Sequence, residues 1–294
     1  MYRRLMTLEQ LRIFVAVAER EHLTRAAESL CLTQSAVSAA VAQLEARFGV
    51  KLFDRIGRGI ALTEAGRLFL PEARAVLARA HEAEALVRDV AGALRGSLRI
   101  CASQTVGNFW LPARLARFQA AFPGLVLHVE HLNTERAAAK VLAHEADIAV
   151  VEGGIGDPRL SATALSGDRM LLVLPNGWAA PRAPEDWAAL TFVTREPGSG
   201  TRALLADHLN GMGLRLDARN IALELPSNEA VRGAVEAGAG ASLLSELVTQ
   251  RALRTGDVQG IDIGLPPRPF YALRLKERAG TRAESEFIRA LCAG

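Results

Sequence analysis

The sequence predicts an α/β chain in three parts: a helical head closed by a two-stranded wing, one long helix, and a two-lobed module of strands and helices. Three observations predict this. Residues 7–63 place a capped amphipathic helix ahead of two closely linked helices and an alternating, Gly-containing hairpin. From Thr63, apolar residues recur every three or four positions as far as Val90. From Ser97 the pattern changes to short apolar runs separated by helical stretches.

In the head, Thr7 with Gln10 three residues on has the form of a capping box. The spacing predicts a helix from Thr7 to about Glu19 whose buried stripe is Leu8, Leu11, Phe14, Val15 and Ala18. Thr24 is placed to cap a second helix, TRAAESL, in which Ala26, Ala27 and Leu30 are small enough for a close crossing. The link Cys31-Leu32 leads to Thr33, the predicted cap of a third helix that turns Val37, Ala40, Val41 and Leu44 inward. KLFDRIGRGIALT then alternates around a Gly-rich turn as a wing does, and the whole order is that of a winged helix-turn-helix.

The outer face of the third helix carries Gln34, Ser35, Ser38, Ala39 and Ala42, all short and uncharged, so it can enter a major groove of double-stranded DNA. Gln34 has the geometry to pair with an adenine, Ser35 and Ser38 to bond base edges or phosphate, and Ala39 to touch a thymine methyl. The first-turn amides after Thr33 favour a phosphate, and Arg55 and Arg58 in the wing are placed to contact the backbone or minor groove. A helix face of Ser and Ala is also what a plain solvated surface looks like. Charge supports the nucleic-acid reading. Residues 1–67 hold ten Lys/Arg against seven Asp/Glu, a surplus equal to the +3 net charge of the whole chain.

Half of the residues are apolar and 5% aromatic, which predicts cores of Ala, Leu and Val. No run approaches the ~20 apolar residues of a membrane span, no signal-peptide hydrophobic region opens the chain, and a cytoplasmic protein is expected. Cys31, Cys101 and Cys292 are far apart without metal spacing. They read as reduced thiols packed as small apolar groups, and no cofactor or metal is expected.

The long helix presents Phe69, Ala73, Val76, Ala80, Ala83, Val87 and Val90 as a seam suited either to a partner helix or to its own domain. Pro71 lies near enough to the helix start to be tolerated, and Gly92 and Gly96 mark its end. Beyond it, SLRICAS, LVLHVEHL and ADIAVV are strand candidates, with a helix through WLPARLARFQAAF and another, capped by Asn133 or Thr134, reaching His144. A second set begins after Gly167 with RMLLVLP, LTFVTR, a helix after Gly200, NIALELP, a helix from Asn228, and ASLLS. A strand at about Pro269–Lys276 and a terminal helix return to the first set. The alternation argues for parallel sheets covered by helices and for two lobes with a cleft between them.

Two segments carry ligand chemistry. Ser103, Gln104 and Thr105 lie where a strand ends and a helix begins, the usual ligand position in open α/β sheets. In TREPGSGTR, Gly198 and Gly200 admit close backbone approach, Ser199 and Thr201 offer hydroxyls, and Arg195 or Arg202 offers charge. Facing each other across a cleft, the two segments would clamp a small anion. Both also have the form of ordinary capped turns. Glu152 is expected either to neutralise Arg195 or to bind a cationic part of the ligand.

The segments FVAVAEREHLTRAAESL, LTQSAVSAAVAQLEARFGVKLFDR and IALTEAGRLFLPEAR resemble the N-terminal signature of LysR-type transcriptional regulators. Two positions depart from it: Ser35 stands where many relatives have Pro, and Ala39 and Ala40 where a basic or polar residue is common. The resemblance implies a periplasmic-binding-protein-like effector domain that closes on a small molecule. It also implies linker helices that pair into homodimers, which associate as homotetramers on pseudo-palindromic promoter sites. ASQTVGNFWLP together with REPGSGTR resembles the subgroup that contains regulators of sulfite and sulfur metabolism and of carbon-dioxide fixation. That implies sulfite or a related oxyanion as effector, or alternatively a phosphorylated metabolite. The expected division is a DNA-binding domain over about 1–63, a linker helix over 64–91 and an effector domain over 92–294. Its lobe I covers about 97–166 and 267–294, and lobe II about 167–266.

Two other classes fit less well. An enzyme with an accessory DNA-binding head lacks support: His128 and His131 have no carboxylate in a zinc-protease arrangement, EPGSGTR is no Gly-x-Ser-x-Gly elbow, and no Walker loop is present. A binding module that works without DNA leaves the N-terminal unit unexplained.

Overall fold

The computed structural model describes residues 5–57, 59–90, 94–153, 156–278 and 280–293, and of residues 88–90 the backbone alone. Arg58, Gly92 and the side chain of Val90 therefore lie outside the described residues. The chain divides into two compact units with a boundary near residue 92.

In the N-terminal unit, α1 spans Leu8–Arg20, and the capping box is complete: Gln10 N–H donates to Thr7 Oγ1 at 3.2 Å and Thr7 N–H to Gln10 Oε1 at 3.1 Å. The buried face is wider than the predicted stripe. Leu11, Phe14 and Ala18 are buried as expected, but so are Ile13, Ala16 and Val17, whereas Leu8 is 46% exposed. The reason is that α1 is covered on two sides. Ile13, Ala16 and Val17 pack with Ala26, Ala27, Val37 and Val41, while Leu11 and Phe14 pack with Leu44, Leu52 and Ala73.

Helix α2, Leu23–Leu30, starts a residue earlier than its expected cap: Thr24 lies in the first turn, and His22 takes the cap position without a side-chain bond. Cys31 closes it in the left-handed region, φ 54°, and α3, Gln34–Phe48, follows with Thr33 Oγ1 accepting from Ala36 N–H at 3.2 Å. Strands β1 (Phe53–Ile56) and β2 (Gly59–Leu62) pair antiparallel with Ile56 opposite Gly59, forming the expected wing.

Helix α4 runs from Glu64 to Val90, continuous through Pro71. Thr63 Oγ1 accepts from Gly66 N–H at 3.0 Å and donates to the Lys51 carbonyl at 2.8 Å, so one hydroxyl caps the helix and ties it to the wing. The seam predicted from periodicity divides in two. Phe69 stacks against Phe14 with ring centroids 4.9 Å apart and Ala73 is buried, so this part belongs to the unit's own core. Val76 and Val87, with Leu86, stay exposed. Gly66 fixes how closely α4 approaches: a Cβ there would stand 2.2 Å from the Leu52 carbonyl oxygen. Gly66→Ala is expected to destabilise this unit by about 1–3 kcal/mol, readable as a lowered denaturant midpoint.

The C-terminal unit has two lobes. In lobe I, β3 (Gly96–Ser103) is flanked in parallel by β4 (Leu125–Leu132) and β5 (Ile148–Glu152), and β12 (Arg268–Leu275) runs antiparallel between β5 and β6 (Leu160–Asp168). The sheet is thus mixed where a parallel one was expected, because β6 and β12 are the two connections to the other lobe. One face, with Ile100, Val150 and Phe270, packs on α5 (Leu111–Ala121) and α11 (Arg282–Cys292). The other, with Cys101, Ala149 and Val151, packs on α6 (Thr134–Leu142), which ends two residues before the expected His144. A single π-helical turn, Val106–Trp110, joins β3 to α5.

In lobe II, β7 (Met170–Pro175) lies antiparallel between β10 (Ser242–Ser245) and β11 (Val258–Ile261), and β8 (Phe192–Arg195) runs parallel to β9 (Ile221–Leu225). Met170, Leu172 and Leu174 face α8 (Gly200–Gly211), whereas Leu171 and Val173 face α9 (Asn228–Glu236) and α10 (Glu246–Thr255). This period-2 alternation buries both faces of β7. The short helix α7, Pro184–Ala188, contributes Trp187 to the same core. The cysteines differ from expectation: Cys101 is packed inside, but Cys31 and Cys292 are exposed.

Candidate DNA-reading face and effector cleft

On α3 the inward positions Val37, Val41 and Leu44 are buried, and Gln34, Ser35, Ala39 and Ala42 are exposed, with Ser38 half-buried. The helix therefore offers the outer face read from its sequence. Ser38 and Ala42 line a groove of about 390 Å³ shared with Lys51 and Arg55, so the exposed wing arginine stands beside the helix face. Thr33 and Ser35 hydroxyls lie 3.1 Å apart at the helix start.

A residue missed in the sequence holds this surface together. Glu45 is 8% exposed, and its carboxylate accepts from Lys51 Nζ at 2.7 Å and from the Leu52 and Phe53 amides at 2.9 and 3.2 Å. Burial opposes its ionisation, but the Lys51 ammonium and the two amides outweigh that and hold the carboxyl below its ordinary value. The wing is thereby pinned to the end of α3. Because the folded pKa is the lower one, this stabilisation is complete above the unfolded value of ~4.3 and is lost as pH falls through the folded value. Glu45→Gln is expected to lower the unit's stability by about 1–3 kcal/mol at neutral pH. The difference from wild type should shrink below pH ~4 in parallel thermal melts, and a constant difference would contradict it.

In the C-terminal unit, the two predicted ligand segments come to the interlobe cleft, but they meet through a third element. Ser103 and Thr105, 2% and 0% exposed, sit at the carboxyl end of β3. Gln104 Nε2 donates to the Pro226 carbonyl at 3.1 Å and its Oε1 accepts from Asn228 N–H at 3.3 Å, so this segment closes on the start of α9. Asn228, 1% exposed, donates through Nδ2 to Thr105 Oγ1 at 3.0 Å and accepts at Oδ1 from Arg195 Nη1 at 2.9 Å. It thus bridges the two segments across the lobes. In the sequence Asn228 reads as the start of a helix and no more.

Arg195, 3% exposed, is not a free cation. Its Nε and Nη2 donate to the two carboxylate oxygens of the adjacent Glu196, both at 2.8 Å. Asn133 Nδ2 from lobe I donates to Glu196 Oε1 at 3.1 Å, and burial of this carboxyl is outweighed by the Arg195 fork, which keeps its pKa lowered. The expected pairing of Glu152 with Arg195 does not form. Glu152, 3% exposed, accepts from Thr105 N–H and Thr134 Oγ1, both at 3.2 Å. Its full burial opposes ionisation, but the charge of Arg268 leads the effects that lower its pKa, followed by the nearby Ser103 and Thr105 hydroxyls. Ser103 Oγ itself completes no hydrogen bond of full geometry.

Arg268, 7% exposed, makes a two-pronged pair with Asp168 at 2.9 and 2.6 Å and reaches Thr201 Oγ1 at 3.5 Å. This pair ties together the two strands that cross between the lobes. Ser199 and Thr201 are buried at the start of α8. Gly198, at φ +84°, lies so near α6 that a Cβ would fall 2.6 Å from Glu135 Oε2, and its carbonyl accepts from Glu135 N–H at 3.2 Å. Arg202 is occupied elsewhere, by the Arg195 carbonyl and by Glu224. Beside this seam opens a groove of about 780 Å³, lined among others by Thr134, Glu135, Glu152, Gly198, Gly200 and Arg268.

A winged helix-turn-helix joined by a long helix to a two-lobed module with a polar cleft defines a DNA-binding regulator with an effector domain. Comparison with known proteins agrees. Residues 8–67 match the bacterial regulatory helix-turn-helix family of LysR type, and residues 91–293 match the LysR substrate binding domain. The chain is 36% identical over 293 residues to the uncharacterized HTH-type transcriptional regulator YeiE of Escherichia coli K12, covering 96% of each. It is 33% identical over 303 residues to the RuBisCO operon transcriptional regulator of Allochromatium vinosum, covering 98% of each. Among solved structures, full-length CbnR in complex with its target DNA shares the fold at TM-score 0.65 and 24% identity, over 97% of this chain and 99% of that one. A full-length OxyR variant from Pseudomonas aeruginosa does so at 0.73 and 22%, over 99% and 94%. The chain belongs to the LysR family of transcriptional regulators. It is a DNA-binding regulator with an effector-binding domain, and not an enzyme.

Proposed function

We propose that this regulator acts in the cytoplasm, reading a pseudo-palindromic promoter site as a homodimer or homotetramer while a small anion in the interlobe cleft sets its grip on DNA. Sulfite or a related oxyanion is the proposed effector. The observation that carries the anion reading is the convergence of Thr105, Asn228 and the buried Arg195 fork on one seam between the lobes. Gln34 and Ala39 are proposed to meet base edges, Ser35 and Ser38 base edges or phosphate, the amides after Thr33 a phosphate, and Arg55 and Arg58 the backbone or minor groove. Exposed Val76, Leu86 and Val87 on α4 support pairing of linker helices. Two reading heads on a two-fold axis would then meet two half-sites.

The effector works by binding one lobe arrangement better than another, and a useful switch needs ~3–5 kcal/mol of such preference summed over subunits. Calorimetric titration of the full chain with sulfite, sulfate and sugar phosphates tests the reading, paired with gel shifts on the chain's own upstream region. Heat with at least one anion and a matching change in the shift are expected; silence with all three ends the anion hypothesis. A phosphorylated metabolite is the second reading. The 780 Å³ groove beside the cleft favours it, being larger than a tetrahedral oxyanion needs.

A further inference from the structure

Glu152 and Glu196 both occupy donors in the interlobe cleft, and they differ in freedom. Glu152 is sealed at 3% exposure among groups that hold it from several sides. Glu196 has a side chain 29% exposed, while the guanidinium it covers is 3% exposed. Its two oxygens sit on Nε and Nη2 of Arg195, the geometry in which a guanidinium receives a carboxylate, sulfite, sulfate or phosphate. We propose that Glu196 is a tethered stand-in for the effector anion: it fills the Arg195 fork in the unliganded protein, and an incoming oxyanion binds by displacing it.

This rests on the anionic-effector reading above and assigns the residue that sets affinity and selectivity within it. A ligand must present two oxygens at carboxylate spacing to replace both bonds. A monatomic anion such as chloride replaces only one, so the internal carboxylate screens against it. Displacement also breaks the bond that Asn133 Nδ2 donates to Glu196 Oε1 at 3.1 Å from the opposite lobe, leaving its longer bond of 3.4 Å to the Pro197 carbonyl. One interlobe tie is therefore exchanged whenever the anion enters, so occupancy and lobe arrangement are linked. The third nitrogen of Arg195 stays on Asn228 at 2.9 Å, which keeps the fork aimed at the same place in both states.

The test is titration of the full chain and of Glu196→Gln with sodium sulfite, sulfate and inorganic phosphate, with chloride as control. Removing the competing charge is expected to tighten oxyanion binding at least tenfold without gain for chloride, and adding Arg195→Met to the same variant should abolish the gain. Glu196→Ala provides a second variant, and thermal melts report that each remains folded. Oxyanion binding of equal strength in wild type and both Glu196 variants would overturn the displacement proposal and leave the anionic effector standing. No oxyanion binding even after Glu196 is replaced would overturn both. A gain that survives loss of Arg195 would place the anion elsewhere and end the proposal.

Discussion

Ser38→Glu is expected to abolish the gel shift with the regulator's own upstream region, weakening specific DNA binding at least a hundredfold, equivalent to about 3 kcal/mol. Ser38 lies half-buried on the outward side of α3, in the groove shared with Arg55. A carboxylate there is brought against duplex phosphates whose charge dominates affinity, and it takes up room that a base edge needs. Gln34→Glu should act in the same direction, because it removes the amide that can donate to an adenine acceptor and adds a negative charge at an exposed position. Neither side chain takes part in the head's core, so melting temperature and effector binding should hold. Sequence-specific shifts surviving in both variants would mean that another surface reads the DNA.

Asn228→Ala is expected to uncouple the lobes. It strips the buried partner from Arg195 Nη1 and from Thr105 Oγ1, two groups with almost no access to replacement water. Leaving such groups unpaired costs about 2–4 kcal/mol in the closed arrangement, a factor of about 30 to 1000 in its population. The C-terminal unit should melt roughly 5–15 °C lower, and X-ray scattering should report a more open form. Asn228→Asp is the informative companion. Its carboxylate can accept from both Arg195 and the Thr105 hydroxyl, so it should retain most of the closure. Asn228→Ala with an unchanged melt and unchanged scattering would show that the lobes are held by other contacts.

The parts legible in the sequence are those written in neighbouring residues. The Thr7–Gln10 box, the Thr33 cap and the two faces of α3 follow from hydrogen bonds and periodicity within a few residues, and the structure has all three. The wing likewise follows from a local alternation and a tight turn. What escapes is long-range. Asn228 meets Thr105 across 123 positions, and Arg268 meets Asp168 across 100. No local pattern marks either pairing. β6 escapes because LSATALSGD buries few residues and mixes small and polar types. Glu196 and Glu45 each carry a weak signal: an acid beside an arginine that reads as free, and an acid next to Leu44 on the inward stripe. Neither signal is enough to mark a buried group, because an ionised side chain is ordinarily placed in water.

The rooting of α4 in the head has a mechanical consequence. With Phe69 against Phe14, Ala73 in the core and Gly66 wedged on Leu52, the first turns of this helix cannot rotate apart from α1 and the wing. The remaining turns are then a stiff lever, not a hinge. Its 27 residues measure about 40 Å at 1.5 Å per residue, so a swing of only ~10° carries the far end through about 7 Å, roughly two base-pair steps. Modest torque at one end is therefore passed along the helix to the other with little loss.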